Sequence, residues 1–426
     1  MGVVRKQAAA HTLNSACNTR VTGTPTNFRR NAAARCDRTA APAESYPEAT
    51  IGYNLPWREE QAVRPKIGII GGGVMGTTHG KTVHFCLKSG LIDGEFVGIA
   101  ESDAQRLAAF AQASGAPLVT QDADELIDSP DINTVYVCTP TFNHVELAQK
   151  VLARGKALFC EKPLAFNARD AAVMRDAAKR AGVTHQVGLV MRFAPVISVT
   201  RDLIRDPASG RAMTCSMIDD QFFPIQGHYA STWRGDVTKV GAGTLLEHAI
   251  HDVDILISYF GRVTRVFGAA RFFFEKEGVE DVSSAILEFE SGAIVNHTSI
   301  WHNLLHRGSS RRMHVVCENA QYSWEDDDYA GAIRCETNTT GGRTDISSAE
   351  VVARFIESAG ITDARLKDAV IPHDLGQAYL LEDHTFLKAV SDDRQSWLDF
   401  DVAVYAHRVV DAIYESASTG QPVAPA

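Results

Sequence analysis

The stretch Lys66-Ile67-Gly68-Ile69-Ile70-Gly71-Gly72-Gly73-Val74-Met75-Gly76 decides the fold. It reads as a short apolar strand entering G-x-G-x-x-G, with a helical pattern following over residues 77–89. In such a unit Gly71 permits a tight turn, Gly73 lets a diphosphate approach the backbone, and Gly76 allows the helix to pack closely on the strand. The helix start, with Val74 and Met75, supplies amide donors and the positive end of a dipole. The glycine pattern alone is weak. Its position between a strand and a helix makes it specific for a dinucleotide.

The alternation continues downstream. Strands are expected at residues 66–70, 95–100, 133–138, 157–160 and 184–189, and helices at about 77–89, 103–114, 143–154 and 168–180. Gly155 and Gly182 stand at helix ends and Asn167 at a helix start, in agreement with this reading. Strand–helix alternation specifies a doubly wound parallel sheet, an α/β Rossmann domain over residues 65–190. After Pro195 the pattern changes to a helix (196–205), a strand (213–219), a polar loop (221–239) and a helix over 245–259. Strands at 265–274, 283–289, 293–301 and 312–317 follow with short turns between them. They predict an open, mainly antiparallel sheet in an α+β domain over 191–426. Residues 335–372 read as a loop-rich insertion with one short helix. Closing helices at 375–390 and 402–416 are available to pack back on the first domain.

A chain of 426 residues is too long for one core, which agrees with two domains. Its formal charge of −10 and lack of a basic stripe argue against nucleic acid as a partner. No apolar run approaches the ~20 residues that span a bilayer, so no membrane role is expected. Eight cysteines show no C-x-x-C pair and no zinc-like Cys/His spacing, and no metal site is indicated. Cys86, Cys138, Cys160 and Cys317 lie in apolar stretches as small core residues, which points to a reducing compartment and the cytoplasm. Residues 1–64 differ. Met1 to Cys36 lack Asp and Glu but carry Arg5, Lys6, Arg20, Arg29, Arg30 and Arg35, as an organellar transit segment would. A disordered tail or a start codon placed too far upstream is the preferred reading. Asn31 to Cys36 form no apolar region for twin-arginine export, and Lys6 stands where myristoylation wants Ser or Thr.

Several strand ends carry candidate site residues. Glu101, ending the second strand, is placed to bond the adenosine ribose and repel a 2′-phosphate, favouring NAD over NADP, while Asp103 suits a helix cap. Thr139 and Pro140 follow the next strand and would lie beside the nicotinamide. Asn143 and His144 either cap the following helix or line the cofactor, with capping preferred for His144. Glu161-Lys162-Pro163 follows an apolar strand, where a lysine faces the ligand crevice.

Together these residues resemble the Gfo/Idh/MocA family, named for glucose–fructose oxidoreductase and inositol dehydrogenase. The resemblance rests on Gly71–Gly76, Thr139-Pro140 with His144, Glu161-Lys162-Pro163, and the run Gly241-Ala242-Gly243-Thr244-Leu245-Leu246-Glu247-His248-Ala249-Ile250-His251-Asp252-Val253-Asp254. The ending Ala412-Ile413-Tyr414-Glu415-Ser416-Ala417-Ser418-Thr419-Gly420 is also similar, so the likeness spans about Lys66 to Val423. It implies hydride transfer between a nicotinamide cofactor and a sugar, inositol or related polyol, in a homodimer or homotetramer formed through the second sheet. Glu161 and Lys162 fall in the implied cofactor site, and Lys162, Glu247 and His251 match the family's catalytic pattern.

The residue types suit that chemistry. On one continuous helix Glu247 and His251, spaced i and i+4, would share a face. A histidine can take the hydroxyl proton as hydride leaves, and Lys162 can stabilise the alkoxide or join the relay. Glu247 is assigned as orienter or substrate ligand. It stands where the family commonly has aspartate, and Ala242 and Ala249 replace family glycines. His248 and Asp252 are expected to be exposed or capping. Arg192, Trp233 and Arg234 are candidate substrate ligands, with inter-domain packing as the alternative. His297, His302, His306 and Arg307, around Trp301, are read as a polar loop or further substrate ligands. Two other functions share this fold: an NAD-dependent glycosidase working through transient sugar oxidation, and a non-catalytic ligand sensor. The presence of Lys162 and His251 ranks the sensor last.

Overall fold

Six parallel strands form the first sheet: β1 (Lys66–Ile70), β2 (Glu95–Ala100), β3 (Leu118–Thr120), β4 (Thr134–Val137), β5 (Ala157–Glu161) and β6 (His185–Gly188). Their order is β3-β2-β1-β4-β5-β6, so the winding reverses between β1 and β4 and opens a crevice there. β4 and β5 are buried along their whole length, as apolar runs covered by helices on both faces should be. In this computed structural model the described residues are 63–425, apart from 228, 307, 326–328, 339–340 and 372–374. The expectations for residues 1–62 and for Arg307 lie outside them.

The second sheet has eight strands: β7 (Ala212–Phe222), β8 (Val263–Arg271), β9 (Val282–Phe289), β10 (Ile294–His302), β11 (Ser310–Cys317), β12 (Ala320–Glu325), β13 (Ile333–Thr337) and β14 (Gly342–Ile346). Their order is β14-β13-β12-β11-β7-β10-β9-β8. The β7–β10 pair is parallel and every other neighbouring pair is antiparallel. β9, β10 and β11 alternate buried and exposed residues, so one face meets the core and the other is open.

The helix Phe400–Thr419 joins the two sheets. Its Asp411 accepts a hydrogen bond from the Ala168 amide at 2.9 Å, beside the first sheet. Its Ser416 hydroxyl accepts one from the Gly268 amide in β8 at 3.0 Å. The helix Leu375–Ser391 packs on Val74–Lys88, the helix that follows the glycine turn.

Three sequence expectations change. β3 and the helix Ala123–Asp128 were not expected, because β3 has only three residues and Val119 within it is 43% exposed. Residues 335–372 contain part of β13, all of β14 and two helices, Ser348–Ser358 and Ala364–Val370. β14 is polar and almost wholly exposed, so it carries no apolar alternation to read. The single helix expected over 245–259 is two, Thr244–Glu247 and Ile250–Phe260.

Candidate active site

The glycine turn is built for close approach. Gly71 has φ +102°, and a Cβ at Gly76 would lie 1.8 Å from the Gly71 carbonyl oxygen. A Cβ at Gly73 would meet nothing within 4 Å, so the turn presents bare backbone to open space at the start of helix Val74–Lys88. Val74 is exposed, and Met75 is half-buried with its sulfur 3.7 Å from the Tyr379 hydroxyl. These features fit a dinucleotide diphosphate.

Glu101 holds the turn from the next strand. Its Oε2 accepts from the Gly72 amide at 2.7 Å, and its Oε1 accepts from the Asp103 amide and from Arg106 Nη2, each at 2.8 Å. Burial pushes its pKa up, but Arg106 and the two amides prevail and keep it below the usual range. A guanidinium therefore sits beside the acid that the sequence assigns to the ribose. Asp103 caps its helix as expected, accepting from the Arg106 amide at 2.8 Å.

The segment after β4 borders the crevice. Thr139 and Pro140 are partly exposed. Asn143 makes no side-chain cap bond. His144 is neither a solvent-facing cap nor an open cofactor ligand. It is 1% exposed, with Nδ1 3.0 Å from the Pro163 carbonyl and Nε2 2.8 Å from the Thr139 carbonyl. The ring ties the end of β4 to the turn after β5. Burial lowers its pKa against the pull of both carbonyls.

At the β5 turn the Lys162–Pro163 peptide is cis. Glu161 is buried: Oε2 accepts from the Lys162 amide at 2.9 Å and Oε1 lies 2.9 Å from His79 Nε2. Both oxygens of the carboxylate that the sequence assigns to the cofactor are thus engaged by protein groups. Lys162 extends instead to the Glu247 carbonyl, with Nζ to O 2.8 Å.

That bond explains the broken helix. In a continuous helix the Glu247 carbonyl would accept from the His251 amide. Here that amide turns to the His248 carbonyl at 3.4 Å, and the Lys162 ammonium takes the vacated oxygen. Glu247 and His251 therefore occupy two short helices rather than one face of a single helix. The first is fastened by Glu280, which accepts from the Gly243 amide at 2.7 Å, the Leu245 amide at 2.9 Å and the Tyr414 hydroxyl at 2.8 Å. A Cβ on Gly243 would lie 1.9 Å from the Glu280 carbonyl oxygen, so glycine is required there.

Glu247 is 3% exposed and satisfied, with Oε1 2.8 Å from Arg234 Nε and Oε2 3.4 Å from the Thr141 hydroxyl. The Arg234 guanidinium lies over the Trp233 ring, 4.6 Å from its centroid. His251 is 6% exposed and its Nδ1 has no hydrogen-bond partner. Burial first, then the charges of Lys162, Arg311 and His248, hold its pKa well below 6.5. Burial likewise lowers the pKa of Lys162, opposed by Glu247. The result is a neutral imidazole close to an ammonium and to a carboxylate neutralised by arginine.

Arg192 is not on the open side of this cluster. It is 4% exposed and its Nε donates to Asp254 Oδ2 at 2.7 Å, one turn beyond His251, as the packing alternative requires. Asp252 is fully buried rather than exposed, between Arg311 Nε at 2.9 Å and His297 Nε2 at 3.1 Å. His248 is mostly covered and lies 2.9 Å from Asp219. His297 thus serves the interior, His302 stands 3.6 Å from Asp220, and His306 is exposed. Trp301 is buried against Phe223. Sequence reasoning did not find Thr141, Arg106 or Arg311. Their only signal is charge or a hydroxyl in an ordinary stretch; Thr141 and Arg311 gain meaning through partners far along the chain, Glu247 and Asp252, and Arg106 through Glu101 five residues before it.

Comparisons with known proteins agree with this architecture. Residues 65–189 match the model described as "Oxidoreductase family, NAD-binding Rossmann fold", and residues 197–323 match the "GFO/IDH/MocA C-terminal domain". The two matches cover more than half of the chain. It belongs to the Gfo/Idh/MocA family.

Among family relatives, 1,5-anhydro-D-fructose reductase of Ensifer adhaerens is 32% identical over 47% of this chain and 60% of its own length. Levoglucosan dehydrogenase of Pseudarthrobacter phenanthrenivorans is 30% identical over 47% of this chain and 53% of its own. The chain thus spans little more than half the length of these two relatives. D-xylose 1-dehydrogenase (NADP(+)) 2 of Haloferax volcanii is 26% identical over 77% of this chain and 91% of its own. The solved structure of a levoglucosan dehydrogenase complex with NADH superimposes with a TM-score of 0.75 at 22% identity. It covers 85% of this chain and 100% of the other, a likeness of fold.

Proposed function

We propose that this Gfo/Idh/MocA protein is an NAD-dependent oxidoreductase that transfers hydride between the nicotinamide and a hydroxyl-bearing carbon of a sugar, inositol or related polyol. The observation that carries the reading is the cluster of Lys162, Glu247 and neutral His251 at the crevice end of the parallel sheet. The bound nicotinamide supplies the hydride acceptor. The bare backbone at Gly73 and the helix start behind it would hold the diphosphate, and the partly exposed Thr139 and Pro140 would border the nicotinamide half. The named substrates of the relatives, an anhydrohexose, levoglucosan and xylose, support a sugar or polyol as the substrate class.

The residues divide the work. His251 accepts the hydroxyl proton at an imidazole nitrogen, and its unpartnered Nδ1 leaves the tautomer uncommitted. Lys162 has one N–H on the Glu247 carbonyl and two more to stabilise the developing alkoxide or pass a proton. Glu247, held by Arg234 and Thr141, orients the cluster or accepts from a neighbouring hydroxyl. Trp233 and Arg234 offer an apolar face and a donor fork to the ring.

Two features support cytoplasmic residence and self-association. The six cysteines among the described residues are all free and buried. The open face of the second sheet exposes Phe267, Ile286 and Ile294, a surface suited to a homodimer or homotetramer. The test of function is a screen of purified protein against inositols, polyols, aldoses and anhydrosugars with NAD and NADP, read at the NADH absorbance. Cofactor reduction with at least one of them is expected. Absence of both nicotinamide binding and turnover in folded protein would sink the reading, and glycoside cleavage without net NADH would replace it with the glycosidase.

Glu101 and Arg106 set the expected cofactor choice. The carboxylate should repel a 2′-phosphate, and its removal should release Arg106 to bind one. Glu101→Ala is therefore expected to raise the NADP/NAD affinity ratio by at least about tenfold, or about 1.4 kcal/mol. Titration of each cofactor by protein fluorescence would measure it, and Glu101→Ala/Arg106→Ala should cancel the gain in NADP affinity.

A further inference from the structure

Behind the Lys162 turn lies a charged cluster that the proposed chemistry does not use. His79, on helix Val74–Lys88, is fully buried, with Nδ1 2.8 Å from Asp383 Oδ1 and Nε2 2.9 Å from Glu161 Oε1. Asp383 also receives the Thr82 hydroxyl. Glu382, on helix Leu375–Ser391, is 0% exposed, and neither carboxylate oxygen has a hydrogen-bond partner. His79, Glu161 and Glu382 nonetheless bring one ligand-capable atom each to within 4.8 Å of one another. Tyr136, Phe159 and Tyr379 pack around the imidazole at 5.6, 4.8 and 5.6 Å between ring centroids.

We propose that His79, Glu161 and Glu382 bind a buried divalent transition-metal ion, of the Zn2+ or Mn2+ class, with Asp383 orienting the histidine. Charge and geometry carry the inference. Glu161, Glu382 and Asp383 converge on one imidazole, and no lysine or arginine side chain pairs with them among the described residues. Even with His79 protonated, three ionised carboxylates would leave a net negative charge in a dry interior, at a cost of several kcal/mol per ion. An ion between the three residues offsets that charge and gives the orphaned Glu382 oxygens a partner. With Asp383 holding Nδ1–H, an ion would replace the Nε2 proton that otherwise goes to Glu161 Oε1, giving the carboxylate–histidine–metal arrangement. One nitrogen and carboxylate oxygens suit zinc or manganese better than a soft ion.

The ion's role is structural. It would pin the helix after the glycine turn, the end of β5 and a C-terminal helix to one point directly behind Lys162. Because the ligands come from three elements and are sealed from solvent, loading would accompany folding.

The full chain would be produced in medium supplemented with zinc and manganese, dialysed against chelator, and analysed by mass spectrometry for metals. About one equivalent of one divalent ion is expected, and Glu382→Gln should reduce it to below about a tenth. Wild-type protein refolded from denaturant should melt higher with ZnCl2 or MnCl2 than with chelator, and Glu382→Gln should not respond. Metal-free wild-type protein with a melting temperature indifferent to both salts would overturn the proposal. So would an ion retained by Glu382→Gln. A Glu382→Gln chain more stable than wild type under every condition would do so too, since Glu382 would then be a neutral acid or water-bound carboxyl. These readouts do not depend on substrate or turnover, so they can fail while the oxidoreductase reading stands.

Discussion

Replacing Lys162 by methionine is expected to lower kcat for alcohol oxidation by roughly 10²–10³, the cost of removing a preorganised donor from a developing oxyanion. The methionine keeps much of the aliphatic stem but cannot donate to the substrate oxygen or to the Glu247 carbonyl. That carbonyl is already outside helical hydrogen bonding, and Lys162 Nζ at 2.8 Å is its partner. The same ammonium is the second cause, after burial, of the depressed His251 pKa. Removing it should move the acid limb of the residual oxidation rate to higher pH as well as lower the plateau. NAD affinity should change by less than about threefold, because the glycine turn and Glu101 are untouched. Stopped-flow reduction of NAD over a pH series, with cofactor titrations, separates these effects. An unchanged kcat would refute the assignment, and a lower plateau with an unmoved limb would deny the coupling to His251.

The sequence was most informative where one element is sufficient to define a role. The G-x-G-x-x-G loop is local, and the turn at Gly71 and the close packing at Gly76 follow from residues within one strand–turn–helix unit. Asp103 and Asn167 are likewise local caps, and both receive the expected amide bonds. The second sheet was legible through its alternation in β9, β10 and β11, but its polar edge strand β14 was not.

Non-local partners account for the rest. Helical periodicity runs through Leu245 to Tyr259, so it cannot reveal a break made by Glu280 gripping one end and Lys162 taking a carbonyl in the middle. Arg192 reads equally as a substrate ligand or a packing residue, and Asp252 as an exposed or capping acid, until the fold brings Asp254 to the first and Arg311 and His297 to the second. His144 looked like a cap because it begins a helix. Its two carbonyl partners at Thr139 and Pro163 become visible only when β4 and β5 lie side by side.

Replacing His251 by asparagine should cost roughly 10²–10⁴ in kcat/KM for oxidation, the range expected for loss of a positioned general base. Asparagine can still hydrogen-bond the hydroxyl, so substrate affinity should fall much less than the rate. The pH profile gives the sharper result. Oxidation needs the neutral imidazole, so the wild-type rate rises with pH through the histidine pKa and is flat above it. Burial, reinforced by Lys162, Arg311 and His248, holds that pKa well below 6.5, so the acid limb must lie below that value. The opposite limb belongs to Lys162, which must stay charged. Burial lowers its pKa below 10.5, so activity should fall with rising pH before an ordinary lysine would lose its proton. In His251→Asn the acid limb should vanish and the alkaline limb remain. If the acid limb survives in the variant, the proton goes elsewhere, and Glu247, whose backbone carbonyl already holds the Lys162 ammonium, is the next residue to replace.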